Sequence, residues 1–283
     1  MSSLGAVVSL FRIKPHQPVG EGGRMALADH FRELRARLLR SLAVFVVLTI
    51  AAFFVYDQLL DIITQPYFDA VDMLGGRAKA NTEIYISGIA GGLMLQLKLC
   101  TLAGVVASSP FWLYQVWAFV LPGLHRSERR WTRIFVAVAG PLFFLGVAVG
   151  YYVLPKGMQV LISFNPDGFQ NLNDFNDFFS FTVRMLLVFG ISFEIPFFVV
   201  LLNLAGVVSG ASLAKHRSWI VLGTFIFAAV ATPSTDPWSM LLLALPMTVL
   251  FLISEVIARF VDRRRRKANA AQDAWDDDAA SPL

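Results

Sequence analysis

The sequence predicts an all-α integral membrane protein that crosses the bilayer six times, with both termini in the cytoplasm. Three observations predict it. Apolar residues make up 56% of the 283 and charged residues only 16%, against roughly 45–50% and about 25% in soluble domains. The mean hydropathy is +0.62. The apolar residues are gathered into six long blocks almost free of charge, and the basic residues collect in alternate connections between those blocks.

Taken in order, residues 1–28 show little periodicity and read as a flexible cytoplasmic tail. Residues 29–40, DHFRELRARLLR, carry Asp29 as a helix cap and Phe31, Leu34 and Leu38 on one face, the pattern of a short interfacial helix. It feeds a first span over 38–56, whose only charge is Arg40. A long, net acidic external loop occupies 57–92. The second span covers 99–124 and takes in Lys98, and the third covers 134–155. A second external loop at 156–177 holds the turn Asn165-Pro166-Asp167-Gly168. The fourth span, 178–204, is interrupted by Arg184 and Glu194. The last two blocks, 219–235 and 237–254, flank the turn at 232–237. They sit near or below the ~17 residues needed to span, so they form a short hairpin that crosses only where lipid thins or helices stand upright. The membrane domain is thus 29–260. The tail 261–283 passes from basic 263–267 to acidic 276–278 and reads as solvated and disordered.

Barrel strands alternate apolar and polar over ~10 residues, whereas LAVFVVLTIAAFFVY is apolar on every face. A helix alone satisfies its own backbone hydrogen bonds in lipid. The first block begins too late, and without a small-residue cleavage site, to be a secretory leader. Orientation follows from Lys and Arg. Eighteen of the 24 fall before residue 38, between spans two and three, between spans four and five, or after residue 258; three lie in the alternate loops (Arg77, Lys79, Lys156) and three in the blocks. The rich side is cytoplasmic, and the pI of 9.4 reflects anionic lipid headgroups as partners, with no nucleic acid implied. Pro110, Pro122, Pro141, Pro155, Pro196 and Pro246 within or at the ends of spans favour kinks and a curved bundle with a concavity. The two halves show no repeat, which argues against an inverted-repeat transporter.

No phosphate-loop, metalloprotease or nucleophile-elbow motif is present, the four histidines lie outside the spans, and the single Cys100 reads as a small buried hydrophobe. These observations call for no metal, no cofactor and no enzyme. Glu194 is either a functional intramembrane carboxylate or a structural partner for Lys98 or Arg184. Lys98 either snorkels or pairs, and Asp236 either caps the last helix or acts in the turn. Glu33, with Arg37 four residues on, and Glu128, beside Arg129 and Arg130, are either solvated surface acids or, together, a receptor for two guanidinium groups.

Several stretches resemble one family: HFRELRARL at 30–38, LYQVWAFVLPGLHRSERR at 113–130, GVAVGYYVLP at 146–155, FGISFEIP at 189–196, TPSTDPWS at 232–239 and ALP at 244–246. The chain is similar, from about 28 to 260, to TatC, the signal-recognising subunit of the twin-arginine protein translocase. The resemblance implies six transmembrane helices in a concave, glove-like bundle whose last two helices are short. It implies a bacterial cytoplasmic-membrane complex of several copies that binds twin-arginine signal peptides. With the single-span partners TatA and TatB it would export folded cargo proteins on the proton-motive force. Carried over residue by residue, Glu33 and Glu128 match the receptor acids, Phe119 and Leu124 line the same site, and Arg35 is the sensitive basic residue beside it. Pro66, Tyr151, Glu194 and Asp236 match positions important for assembly or transport. Met240, where many relatives have Gln, and Arg184, at a position often apolar, depart from the family pattern. The competing expectation is a solute or ion transporter that couples through Glu194 and Lys98.

Overall fold

The computed structural model describes residues 27–74, 76, 79, 81–120, 128–166, 169–204, 206–232 and 237–276. The described chain is helical apart from two short strands: α1 Leu27–Phe53, α2 Tyr56–Asp72, β1 Thr82–Tyr85, α3 Gly91–Ala107, α4 Ser109–Val120, α5 Glu128–Ser163, β2 Asn171–Asp174, α6 Phe175–Leu204, α7 Gly210–Lys215, α8 Arg217–Ala231 and α9 Pro237–Asp276. It forms two compact units. One comprises Met1–Asp61 and Ile89–Pro141, the other Ile62–Gly88 and Leu142–Leu283.

In the first unit, α1 runs unbroken for 27 residues. The expected interfacial helix and first span are therefore one rod. The stretch contains neither Gly nor Pro, so nothing gives the backbone another partner once it enters lipid. At its end Phe54 N and Val55 N bond back three residues, to Ala51 O and Ala52 O, and the next helix starts at once. The second apolar block is a bent pair: Gly91–Ala107 and Ser109–Trp117 meet at 54°. Pro110 cannot donate to the Val106 carbonyl. At the same bend the Val105 carbonyl accepts from two side chains, Trp112 Nε1 at 3.1 Å and Ser108 Oγ at 3.2 Å. α1 packs on α3 where Gly104 lies against Thr49.

The second unit holds the loops expected to be irregular. Much of 57–92 is α2, which buries Ile63, Pro66, Tyr67 and Ala70 along one face, the three-and-four spacing of an amphipathic helix. β1 and β2 pair in parallel, with Thr82 opposite Asn171 and Tyr85 opposite Asp174. Asp174 then caps α6, its Oδ1 accepting from Asn176 N at 2.8 Å. α5 and α6 meet through glycines: a Cβ on Gly146 would lie 2.6 Å from Phe189 O, and one on Gly190 2.7 Å from the Phe143 ring. Gly206, at φ +79°, turns the chain after α6 as a left-handed helix end.

Among the described residues four helices are long and apolar enough to cross a membrane: Phe31–Phe53, Val138–Ser163, Phe175–Leu204 and Pro237–Lys267. The bent pair supplies a fifth, and Arg217–Ala231 is shorter. Of the two helices expected to be short, only α8 is, with 15 residues. α9 runs for 40 because helix-favouring Arg, Lys, Ala and Gln follow its apolar part. Residues 261–276 are accordingly helical, where the blocks of charge had suggested a disordered tail. Large apolar side chains stay exposed along the spans, among them Val47, Leu145, Ile191 and Val256, a surface suited to lipid and not to water.

Candidate functional site

Glu33 lies near the start of α1. Four residues on, on the same face, Arg37 donates to its Oε1 through Nε at 2.9 Å and Nη2 at 2.5 Å. Arg37 also donates through Nη1 to Oε1 of Gln115, a buried residue of α4, at 3.3 Å. Both Arg37 bonds fall on one carboxylate oxygen, and the Glu33 side chain keeps 26% of its exposure. Arg35, two residues away, is exposed and at that spacing cannot share the Glu33 face. Phe119 is half-buried on α4, and Lys98 is exposed on α3. Glu128 is the first residue of α5; its side chain, with Leu124 and Asp236, lies outside the described residues.

Two other expected positions meet. Pro66 sits inside α2 and has no N–H for the Ile62 carbonyl four residues earlier. The Tyr151 hydroxyl donates to that carbonyl at 2.8 Å. Next to Pro66, buried Tyr67 accepts at its hydroxyl from Asn173 Nδ2 at 3.2 Å and packs edge-on against Phe178. Burial lifts the Tyr67 phenol above its ordinary value, against the opposing pull of Asn173. Ser87 Oγ donates to Asp174 Oδ2 at 2.5 Å.

Glu194 is 5% exposed on α6, and neither carboxylate oxygen has a hydrogen-bond partner among the described residues. The expected pairing with Arg184 is absent among the described residues: Arg184 is exposed, and ten residues of helix separate the two by ~15 Å. A buried carboxylate left unpaired is costly. Pro196 also withholds a donor from the Ser192 carbonyl, so the polar groups of this stretch of α6 are underemployed.

Sequence reasoning missed two clusters at the far end of this unit. Glu255, 2% exposed, accepts from Arg217 Nε at 2.8 Å and Nη2 at 2.7 Å and from Arg259 at 2.6 Å. Asp262 Oδ1 accepts from Asn203 Nδ2 at 2.9 Å and its Oδ2 from Gly210 N at 2.7 Å. The available signal was an acid at the edge of the last apolar block with Arg259 four residues on. The Arg217 half of the cluster joins residues 38 apart, which no local pattern reveals.

The fold and these side chains define a polytopic helical membrane protein with polar groups held at the ends and in the middle of its spans. The family described as Sec-independent protein translocase protein (TatC) matches residues 29–246. The chain is 40% identical over 269 residues to the Sec-independent protein translocase protein TatC of Frankia casuarinae, covering 93% of this chain and 74% of that one. It is 30% identical to the protein of the same name from Escherichia coli, over 83% and 88% of the two chains. A crystal structure of the twin arginine translocase receptor TatC superposes with a TM-score of 0.67 at 26% identity, covering 82% of this chain and 98% of that one. The chain belongs to the TatC family: it is a multi-pass membrane subunit of a Sec-independent protein translocase.

Proposed function

We propose that the chain is the signal receptor of a twin-arginine translocase in the bacterial cytoplasmic membrane. It crosses six times with both ends inside, α8 included. One observation carries the reading. Glu33 is oriented through one oxygen by Arg37 and stays partly exposed beside the polar end of α1. A carboxylate so held offers its other oxygen to an incoming guanidinium without first paying to order itself. Glu128, at the head of α5, is the second acid, so that two carboxylates meet two arginines. Phe119 and Leu124 border them, and Arg35 serves the same site from the other face of α1. The apolar part of the signal peptide then runs along the spans, where the unpartnered Glu194 receives a polar group of the peptide or of a partner helix. Pro66, Tyr151 and Asp236 keep the external side in shape. TatA and TatB complete the multimeric complex that passes folded cargo on the proton-motive force; the fork at Glu33 binds, and nothing in this scheme requires a cofactor.

The test is binding of a labelled twin-arginine signal peptide to the purified full chain in nanodiscs. Losing one charge-assisted pair costs about 1.5–3 kcal/mol, or roughly ten- to a hundredfold in affinity. That loss is expected for Glu33→Ala, for Glu128→Ala and for a twin-lysine peptide. Binding indifferent to all of these would falsify the receptor reading.

A further inference from the structure

The cluster at Glu255 has more cation than it needs. Arg217 and Arg259 both rest on this one buried carboxylate, yet their side chains remain 49% and 42% exposed. Arg259 Nε is buried and has no partner among the described residues. Arg263, one turn beyond Arg259 on α9, and Lys215, two residues before Arg217, are exposed. The other nearby acid, Asp262, has both oxygens bonded, to Asn203 and Gly210. Arg264 lies over the Phe260 ring at 4.4 Å, and Arg265 reaches the Leu204 carbonyl at 3.3 Å. Six cations therefore stand at the ends of α7, α8 and α9 with two occupied acids. Towards the middle of the spans the same helices expose Trp219 and Leu222 on α8 and Ile253 and Val256 on α9. These are an interfacial aromatic and aliphatic surface for acyl chains.

We infer that Arg217, Arg259 and Arg263 form a binding site for the phosphate of an anionic membrane phospholipid. The inference rests on the reading that places this end of the spans in the cytoplasmic leaflet. There the anionic headgroups lie and each nearby basic residue adds to attraction. Guanidinium groups match phosphate oxygens with paired donors. Glu255 fixes two of them in place, so the site is ordered before the lipid arrives. The same carboxylate competes for those donors, so it orients the site and weakens it at once.

The experiment measures retention of phosphatidylglycerol against phosphatidylcholine by the purified full chain, by native mass spectrometry, with twin-arginine peptide binding followed on the same samples. Glu255→Gln is expected to retain about fivefold more phosphatidylglycerol, since one competing charge is worth about a factor of five at the membrane surface. The pair Arg217→Gln with Glu255→Gln keeps the net charge and leaves no orphaned carboxylate; it is expected to retain about fivefold less than Glu255→Gln alone, since it lacks one phosphate-binding cation. Lys79→Gln, which removes a cation from the opposite end of the spans, is expected to change nothing. Equal retention by the paired variant and by Glu255→Gln alone overturns the site. So does displacement of the lipid by millimolar inorganic phosphate, which makes it a soluble-phosphate site. Should the paired variant not fold, Arg263→Gln, which makes no bond to Glu255, carries the test: about a fivefold loss is expected, and none overturns the inference. Loss of peptide binding with lipid retention intact, or the reverse, separates failure of the receptor reading from failure of this one.

Discussion

Pro66 takes a backbone donor away from α2, and Tyr151, on a different helix, puts one back at the Ile62 carbonyl. A single neutral hydrogen bond is worth about 0.5–1.5 kcal/mol, so Tyr151→Phe is expected to destabilise the second unit by about that much. In a Pro66→Ala background the new N–H at 66 can close the bond to Ile62 within α2, and the Tyr151 hydroxyl becomes redundant. The cost of Tyr151→Phe should then fall towards zero, which thermal unfolding of the four chains of a double-mutant cycle measures. The same cost in both backgrounds would show that the hydroxyl acts elsewhere. Each residue was visible in the sequence as part of a family pattern, but their meeting was not, because a tertiary bond to a proline-freed carbonyl leaves no local trace. Glu33 stands between these cases. Its neighbour Arg37 is legible from the four-residue spacing, whereas Gln115, which holds Arg37 from α4, is not.

Helix pairs in lipid gain little from burying apolar surface and depend on close approach, which favours small residues. α5 and α6 follow that rule. A Cβ at Gly146 would meet the backbone oxygen of Phe189 at 2.6 Å and the Cα of Gly190 at 2.9 Å. Backbone cannot swing aside, so Gly146→Ala is expected to cost about 1–3 kcal/mol by overpacking, less any gain in helix propensity. Gly223 on α8 has nothing within 4 Å; Gly223→Ala should be neutral or stabilise by up to about 1 kcal/mol. Thermal unfolding in a fixed detergent compares the two, and a Gly146→Ala protein as stable as the wild type would mean that the helices do not meet there. The sequence showed the long elements for the same physical reason that they pack. An uninterrupted apolar block has one stable state in lipid. It did not show α2, whose apolar face is diluted by Asp57, Asp61, Asp69 and Asp72 and broken by Pro66. Nor did it show the four-residue strands, too short for any period, or the reach of α9, where charge suggested disorder while helix propensity pointed the other way.

At the scale of the molecule the open quantity is the number of crossings, and it turns on α8. Its 15 residues make a rod of ~22 Å at 1.5 Å per residue, short of the ~30 Å hydrocarbon core. If α8 failed to cross, the spans would be odd in number and the basic end of α9, with Arg263, Arg264, Arg265, Arg266 and Lys267, would lie outside, against the bias that places Lys and Arg in the cytoplasm. The cost of thinning lipid around one short helix is a fraction of a kcal/mol per Å, whereas carrying five basic residues to the wrong side runs against the strongest topological signal in the chain. α8 is therefore expected to cross, with the bilayer drawn in around it. With buried Cys100 replaced by Ala, single cysteines at Glu83 and at Arg266 report the answer through a membrane-impermeant maleimide. From outside intact cells Glu83→Cys should label and Arg266→Cys should not, and inverted vesicles should reverse the pair. Labelling of both from outside would make α8 a helix that lies in one leaflet. It would also put the Glu255 end of α9 on the other side of the membrane from Arg217, at odds with the ion pair that joins them.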